Sequence, residues 1–344
     1  MVGQIIQDGY QGATVAVTGA SGFLGRNLVE QLLEAGARVS VLARDVNRLD
    51  PALAQRCTVV HGDLLNKLAM NQLVHGAAYV FHCAAEVATW GRWDDYERAN
   101  VQGVRILLDA LTADNRGLRR LVHVSTLDVY GFPTLPASED RALTPVQFNY
   151  GESKRQGDLL VQESCQHHGI SYVIVRPGNI VGPSSPFVSR IGSALLSGPM
   201  LSIDGGQHHA GLVDVANLVD VLLWAGLSPC ADGQAYNVRD PWEISWGEYL
   251  RDFRAGSGLH GFTLNLDYRV AMLLASAAST PYRWFGMRKE PLLHPLIVEI
   301  FGRTCGHSIE KLRQDRAPLG GVNYACSLRE SLEWLSIQPG FIKN

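Results

Sequence analysis

Through the first half of the chain, short β-branched and apolar runs alternate with longer stretches whose apolar positions recur every three or four residues. Runs of the first kind predict strands at 14–18, 38–43, 58–61, 79–83, 120–125 and 172–176. Between the first two, Leu24, Leu28, Leu32 and Ala35 share one helical face, and Gly36 stands where a helix stop is expected. The 100–111 stretch repeats the pattern with Val101, Val104, Leu107, Leu108 and Leu111. Strands separated by crossover helices make a parallel sheet covered on both faces, so the expected class is α/β, a doubly wound parallel sheet.

That rhythm stops after Arg176. Pro177, Gly178, Gly182, Pro183, Pro186, Gly198 and Pro199 crowd a region expected to be loops around one short helix. A strand-like run at 235–238 predicts one more sheet strand. The expected division is a core at 12–177 with a returning segment near 209–240, and a smaller lobe from 178–208 and 241–338. Neither an internal repeat nor a low-complexity tract is visible.

Composition narrows the function classes. Net charge is −3 with no long basic run, which argues against a nucleic-acid partner. The six cysteines lie far apart without ligand spacing to histidine, so neither a disulfide framework nor a metal site is expected. No basic-then-apolar leader opens the chain, and the apolar 270–278 stretch falls short of the ~20 residues of a membrane span. The cytoplasm is the expected compartment. Arg269, Arg283, Arg288 and Lys289 around that stretch admit weak peripheral contact with a membrane surface, against the plainer reading of a packed helix with solvated flanks.

Gly19, Ser21, Gly22, Phe23, Leu24 and Gly25 lie where the first strand passes into the first helix, the glycines spaced G-x-x-G-x-x-G. Bare backbone N–H groups at the positive end of a helix dipole suit a dinucleotide pyrophosphate, whereas a Cβ would hold the chain away. At the tip of the second strand, Ala43 and Arg44 arrive before Asp45. A guanidinium there can fork onto a 2′-phosphate, so NADP(H) is favoured, with NAD(H) open if Asp45 reaches the ribose. Asp63, beside Leu64, either reaches the adenine or caps the next helix.

Tyr150 and Lys154 stand at i and i+4, on one face of a helix. An unperturbed phenol ionises near pKa ~10, and a neighbouring ammonium lowers the barrier to its proton transfer. Such a pair also occurs by chance. Thr126, at the C-terminal edge of the fifth strand, adds a hydroxyl where open α/β sheets bind ligands; the plain alternative is a hydroxyl completing the strand's hydrogen bonds.

The glycine triplet, Asp63-Leu64, His82-Cys83-Ala84-Ala85, Asn100-Val101, Ser125-Thr126 with Val129-Tyr130-Gly131, Tyr150-x-x-x-Lys154 and Arg176-Pro177-Gly178-Asn179 follow in that order. Together they resemble the extended short-chain dehydrogenase/reductase family, over nearly the whole chain. The likeness is to its 3β-hydroxysteroid dehydrogenase-like and epimerase/dehydratase branches, through Trp90-Gly91-x-Trp93 and the tail from Ser308 to Leu332. It implies a Rossmann core, with Tyr150 as general acid/base, Lys154 as its activator and ribose anchor, and Thr126 orienting the substrate. Ala84, Ala85, Asn100, Pro177 and Asn179 would meet the cofactor, and Val87, Trp90 and Asn179 the substrate. Relatives often pair through helices flanking the tyrosine, so a homodimer is implied.

The resulting expectation is NADP(H)-dependent interconversion of a ketone and a secondary alcohol on a small, lipophilic, steroid-like or β-keto substrate. Two rivals are a nucleotide-sugar epimerase with tightly bound NAD, and a non-catalytic NADP(H)-binding redox sensor. Leu127 and Asp128 replace the Asp-Glu pair of sugar-nucleotide dehydratases. Trp242, Trp246 and Trp284 are either substrate walls or core. His208, His209 and Asp214 read better as a strand-to-helix junction than as metal ligands.

Overall fold

The computed structural model describes residues 2–341, save 115, 198–199 and 260; Gly198 and Pro199 of the expected loop region lie outside the described residues. Seven parallel strands form the main sheet: β1 (Thr14–Thr18), β2 (Arg38–Ala43), β3 (Thr58–His61), β4 (Tyr79–His82), β5 (Arg120–Val124), β6 (Tyr172–Pro177) and, after three strands outside this sheet, β10 (Gln234–Val238). Their order is β10-β6-β5-β4-β1-β2-β3. This is the Rossmann arrangement, with the connections reversing direction between β1 and β4.

Alternation along each strand sends side chains to two cores. Val15, Val17, Tyr79, Phe81, Val122, Val124, Val173 and Val175 pack toward the helices Phe23–Glu34 and Val215–Leu227. The intervening Ala16, Val80, Leu121, Tyr172 and Ile174 pack toward the helices Lys67–Val74, Gly103–Ala113 and Asn149–His168. Burial on both faces is why these strands read as near-continuous apolar runs. The helix Val2–Tyr10, which the sequence pattern did not predict, is tied to the first core by the Tyr10 hydroxyl donating to the Leu223 carbonyl at 2.9 Å.

A third core sits in the C-terminal lobe around Trp246, Tyr249, Phe253 and Phe301. Two short parallel pairs join it to the sheet: β7 (Asn179–Val181) with β9 (Leu212–Asp214), and β8 (Met200–Ile203) with β11 (Thr263–Leu266). The Pro/Gly-rich region therefore holds strands as well as the helix Pro186–Ser197, too short for a periodic signal. Among the described residues, no helix is long and apolar enough to cross a membrane.

Candidate active site

A cleft of about 1560 Å³ runs along the C-terminal ends of the strands and opens between the sheet and the C-terminal lobe. It lies where ligands of open α/β sheets bind. Gly19, Ser21, Gly22, Phe23, Leu24 and Gly25 line one end, with Arg44, Asp63 and Leu64. The loop closes on itself because Gly25 has no side chain: a Cβ there would stand 2.1 Å from the Gly19 carbonyl oxygen. Gly19 itself takes φ +80° against the loop after β4, where a Cβ would meet the Ala84 nitrogen at 2.7 Å. The result is a bare backbone cradle at the start of the helix Phe23–Glu34, fit for a pyrophosphate.

At the middle of the cleft stand Thr126, Tyr150 and Lys154. The helix Asn149–His168 approaches the tip of β5 closely, since a Cβ on Gly151 would lie 2.6 Å from the Asp128 carbonyl oxygen. Its first turn carries Tyr150, whose phenol lies beside the Thr126 hydroxyl. One turn on, Lys154 is 2% exposed and donates from Nζ to the Val124 carbonyl oxygen at 2.7 Å.

Burial sets the electrostatics here. It pushes the Lys154 ammonium down to about 8, against the pull of Asp158. It also raises the Tyr150 phenol, helped by the Asp128 carboxylate and opposed by the Thr126 hydroxyl. The phenol therefore stands above its ordinary range and not below it, because desolvation and the nearby carboxylates act in the same direction. Asp128, moved by burial up to about 6, is a cleft carboxyl that the sequence reading noted only as a departure from the dehydratase pair.

Beneath the site lies a layer of buried polar side chains. Arg176 donates to Asp158 Oδ2 at 2.9 Å and to the Tyr130 hydroxyl at 2.7 Å. His82 accepts or donates at Nδ1 with Thr18 Oγ1 at 2.8 Å and stacks on His123 at 5.3 Å. Burial, with the Lys154 charge next, holds both rings below the usual imidazole range, His82 at about 3. Both are neutral, and Lys154 carries the positive charge of this layer that faces the cleft.

Every predicted site residue but one lines the cleft, including Ala84, Ala85, Val87, Trp90, Pro177 and Asn179. The exception is Asn100, 1% exposed within a π-helical turn at Glu97–Gln102. Its amide bonds both backbone groups of Glu86 at 2.8 and 2.9 Å and the Ser153 hydroxyl at 2.9 Å. Asn100 therefore fastens the loop after β4 to the helix Asn149–His168 from behind. Asp63 bonds the Leu65 amide at 3.0 Å, and it is Asn66 that caps the helix Lys67–Val74. Asp45 accepts from the Asn47 amide at 3.0 Å, turned into its own loop.

Of the tryptophans, Trp90 alone lines the cleft among the described residues; Trp246 is core, and Trp242 packs on Tyr324. Asp214 caps the helix Val215–Leu227, as expected, and no metal-binding cluster is present among the described residues. A polar strap that the sequence reading missed closes the far side. Glu290 accepts from Arg190 at 2.6 Å, bonds His294 at 2.7 Å and is bonded by Thr89, which joins the loop after β4 to the C-terminal lobe. Only the i,i+4 spacing of Glu290 and His294 foreshadowed it. The substrate end is apolar, walled by Phe187, Ile191, Leu266, Leu293, Ile297 and Ile300.

Comparison with known proteins agrees with this geometry. The family model described as the NAD dependent epimerase/dehydratase family matches residues 15–238. A 4-hydroxy-2-methyl-3-oxo-4-farnesyl-3,4-dihydroquinoline-1-oxide ketoreductase of Stigmatella aurantiaca is 27% identical over 313 residues, 90% of this chain and 92% of that protein. A 2-alkyl-3-oxoalkanoate reductase of Shewanella oneidensis is 26% identical over 327 residues, covering 87% and 80%. The fold also matches the UDP-glucuronic acid 4-epimerase of Bacillus cereus, solved with NAD, at a TM-score of 0.75 and 20% identity over 94% of this chain and 96% of that one. That dinucleotide overturns the expectation of NADP(H). Arg44 does line the cleft, but a guanidinium at a strand tip stacks on an adenine face as readily as it forks onto a phosphate, so the residue does not select the phosphate by itself.

Proposed function

The chain belongs to the NAD dependent epimerase/dehydratase family, and on that premise we propose that it uses NAD(H) to interconvert a ketone and a secondary alcohol on a lipophilic substrate. It is a nicotinamide-dinucleotide-dependent enzyme of this fold family acting on small organic substrates. The observation that carries the finer reading is the apolar wall of the substrate end, which desolvates and holds a hydrocarbon body while few polar groups fix its orientation. The ketoreductase and the 3-oxoalkanoate reductase among its relatives support the same substrate class.

The residues that would hold NAD(H) are the Gly19–Gly25 loop, Arg44, Asp63, Ala84, Ala85, Lys154, Pro177 and Asn179. When bound, the nicotinamide supplies or takes the hydride. Thr126 and Tyr150 hold the carbonyl oxygen of the substrate from one side. Burial and Asp128 keep the phenol protonated at neutral pH, the form in which it donates as the alcohol forms. The Lys154 charge then stabilises the phenolate left behind until solvent returns the proton.

A second reading, a nucleotide-sugar epimerase that retains its NAD, has the broader support of the family description and of the fold shared with the Bacillus cereus epimerase. The two share the Tyr150 step and differ in net redox change. Purified protein incubated with NADH and medium-chain β-keto acids or cyclic ketones, followed at 340 nm, tests the first. Steady NADH consumption that Tyr150→Phe reduces by roughly 10²–10⁴-fold, with NADH binding kept, is the expected result. Protein that carries NAD through purification, consumes no NADH and equilibrates a UDP-sugar with its 4-epimer would establish the second reading instead.

A further inference from the structure

The helix Tyr268–Trp284 is built inside out. Its buried stripe is Ala271, Ala275 and Ser279, while Val270, Leu273 and Leu274 face solvent. Trp284 at its last position, and Phe285 and Met287 beyond it, are exposed, and Leu292 fully so. Leu273, Trp284 and Phe285 stand 71%, 83% and 75% exposed, so no neighbour among the described residues covers them. Nine of the sixteen large apolar side chains exposed among the described residues fall between 262 and 292. A concentration of this kind marks an interaction surface rather than ordinary scatter.

Its exposed charge is mainly basic, with Asp95 at the margin 3.8 Å from Arg288. Arg269, Arg283, Arg288 and Lys289 are all exposed around the patch. The acids of the same stretch are engaged: Asp267 caps this helix at its N-terminus, and Glu290 is held by Arg190 and His294. The patch is thus basic on a chain of net charge −3. It is also continuous with the cleft, since Leu264, Leu274, Arg288 and Leu292 line its mouth. Trp90 anchors the segment there, its indole N–H donating to the Met287 carbonyl at 3.0 Å.

We propose that this face docks on an anionic phospholipid surface, with the cleft mouth held against the bilayer. Apolar side chains with cations at their margin are what an interfacial helix presents to anionic lipid, the long basic stems reaching headgroups as the rings enter the acyl boundary. A two-fold contact between copies through the same face would set these cations against one another. Delivery of a lipophilic substrate from the bilayer rests on the reductase reading, whereas docking itself does not.

The test is flotation of the full chain with vesicles of phosphatidylcholine alone and of phosphatidylcholine with phosphatidylglycerol, at low and high salt. Binding to the anionic vesicles, weakened by salt, is expected. Arg269→Gln with Lys289→Gln should cost roughly 25-fold in partitioning, about five-fold per cation near the surface. Leu273→Glu with Trp284→Glu should abolish it. Unchanged thermal unfolding and NAD binding in both variants would show that they fold. Absence of flotation, flotation indifferent to both variants, or a concentration-dependent dimer that Leu273→Glu with Trp284→Glu dissolves without any vesicle binding would each overturn the proposal. None of these readouts depends on turnover, so failure of docking and failure of the reductase reading are separable.

Discussion

Replacing Lys154 by Met should leave the protein inactive and make it more stable. The ammonium is 2% exposed, and burial lowers it from 10.5 to about 8 in the folded chain. At 1.36 kcal/mol per pKa unit, holding it charged at neutral pH costs the fold about 3 kcal/mol. Met fills similar volume without charge, but leaves the Val124 carbonyl without the donor now 2.7 Å away, a loss of about 1 kcal/mol. Asp158 keeps its partner Arg176 at 2.9 Å. The net expectation is a gain of about 2 kcal/mol, or roughly 3 °C in Tm for a chain of this size.

The sign in pH follows from the same numbers. Between about 8 and 10.5 the unfolded chain binds the lysine proton and the folded chain does not, so wild-type stability gains on the variant as pH rises. Urea unfolding of both proteins, without added nucleotide, at pH 7 and pH 10 reads this directly. A variant no more stable than wild type at pH 7, or a difference that stays constant to pH 10, would refute the view that Lys154 is held at an energetic cost for its charge.

Other expectations follow from the same geometry. Asp128→Asn removes the carboxylate that raises the Tyr150 phenol, so phenolate absorbance lost on Tyr150→Phe should appear at lower pH in that variant than in wild type; an onset that stays put would exclude that coupling. Gly25→Val drives a side chain into the Gly19 carbonyl and should abolish NAD binding measured by protein fluorescence, at a stability cost of about 1–3 kcal/mol. Asp158→Ala leaves the buried Arg176 guanidinium with the Tyr130 hydroxyl alone and should destabilise the fold by about 3–5 kcal/mol in urea unfolding. Asn100→Ala frees the loop after β4 from the helix Asn149–His168 and should lower kcat while NAD affinity changes little.

The strands of the main sheet and the glycine loop were legible in the sequence because their causes are local. A strand buried on both faces must be apolar along its length, and a pyrophosphate cradle must be free of Cβ atoms. The i,i+4 spacing that unites Tyr150 and Lys154 is likewise a property of one helix. What lay beyond the sequence depends on groups brought together from distant segments. Asn100 acts from behind the cleft because a π-helical turn aims it at Glu86 and Ser153. The strap at Glu290 joins residues about two hundred positions apart, and the short strands of the C-terminal lobe form only against partners supplied by the lobe itself. Protonation was the least legible of all. Spacing fixes which charges are neighbours, but desolvation, which sets the direction for both Tyr150 and Lys154, exists only once the chain has closed over them.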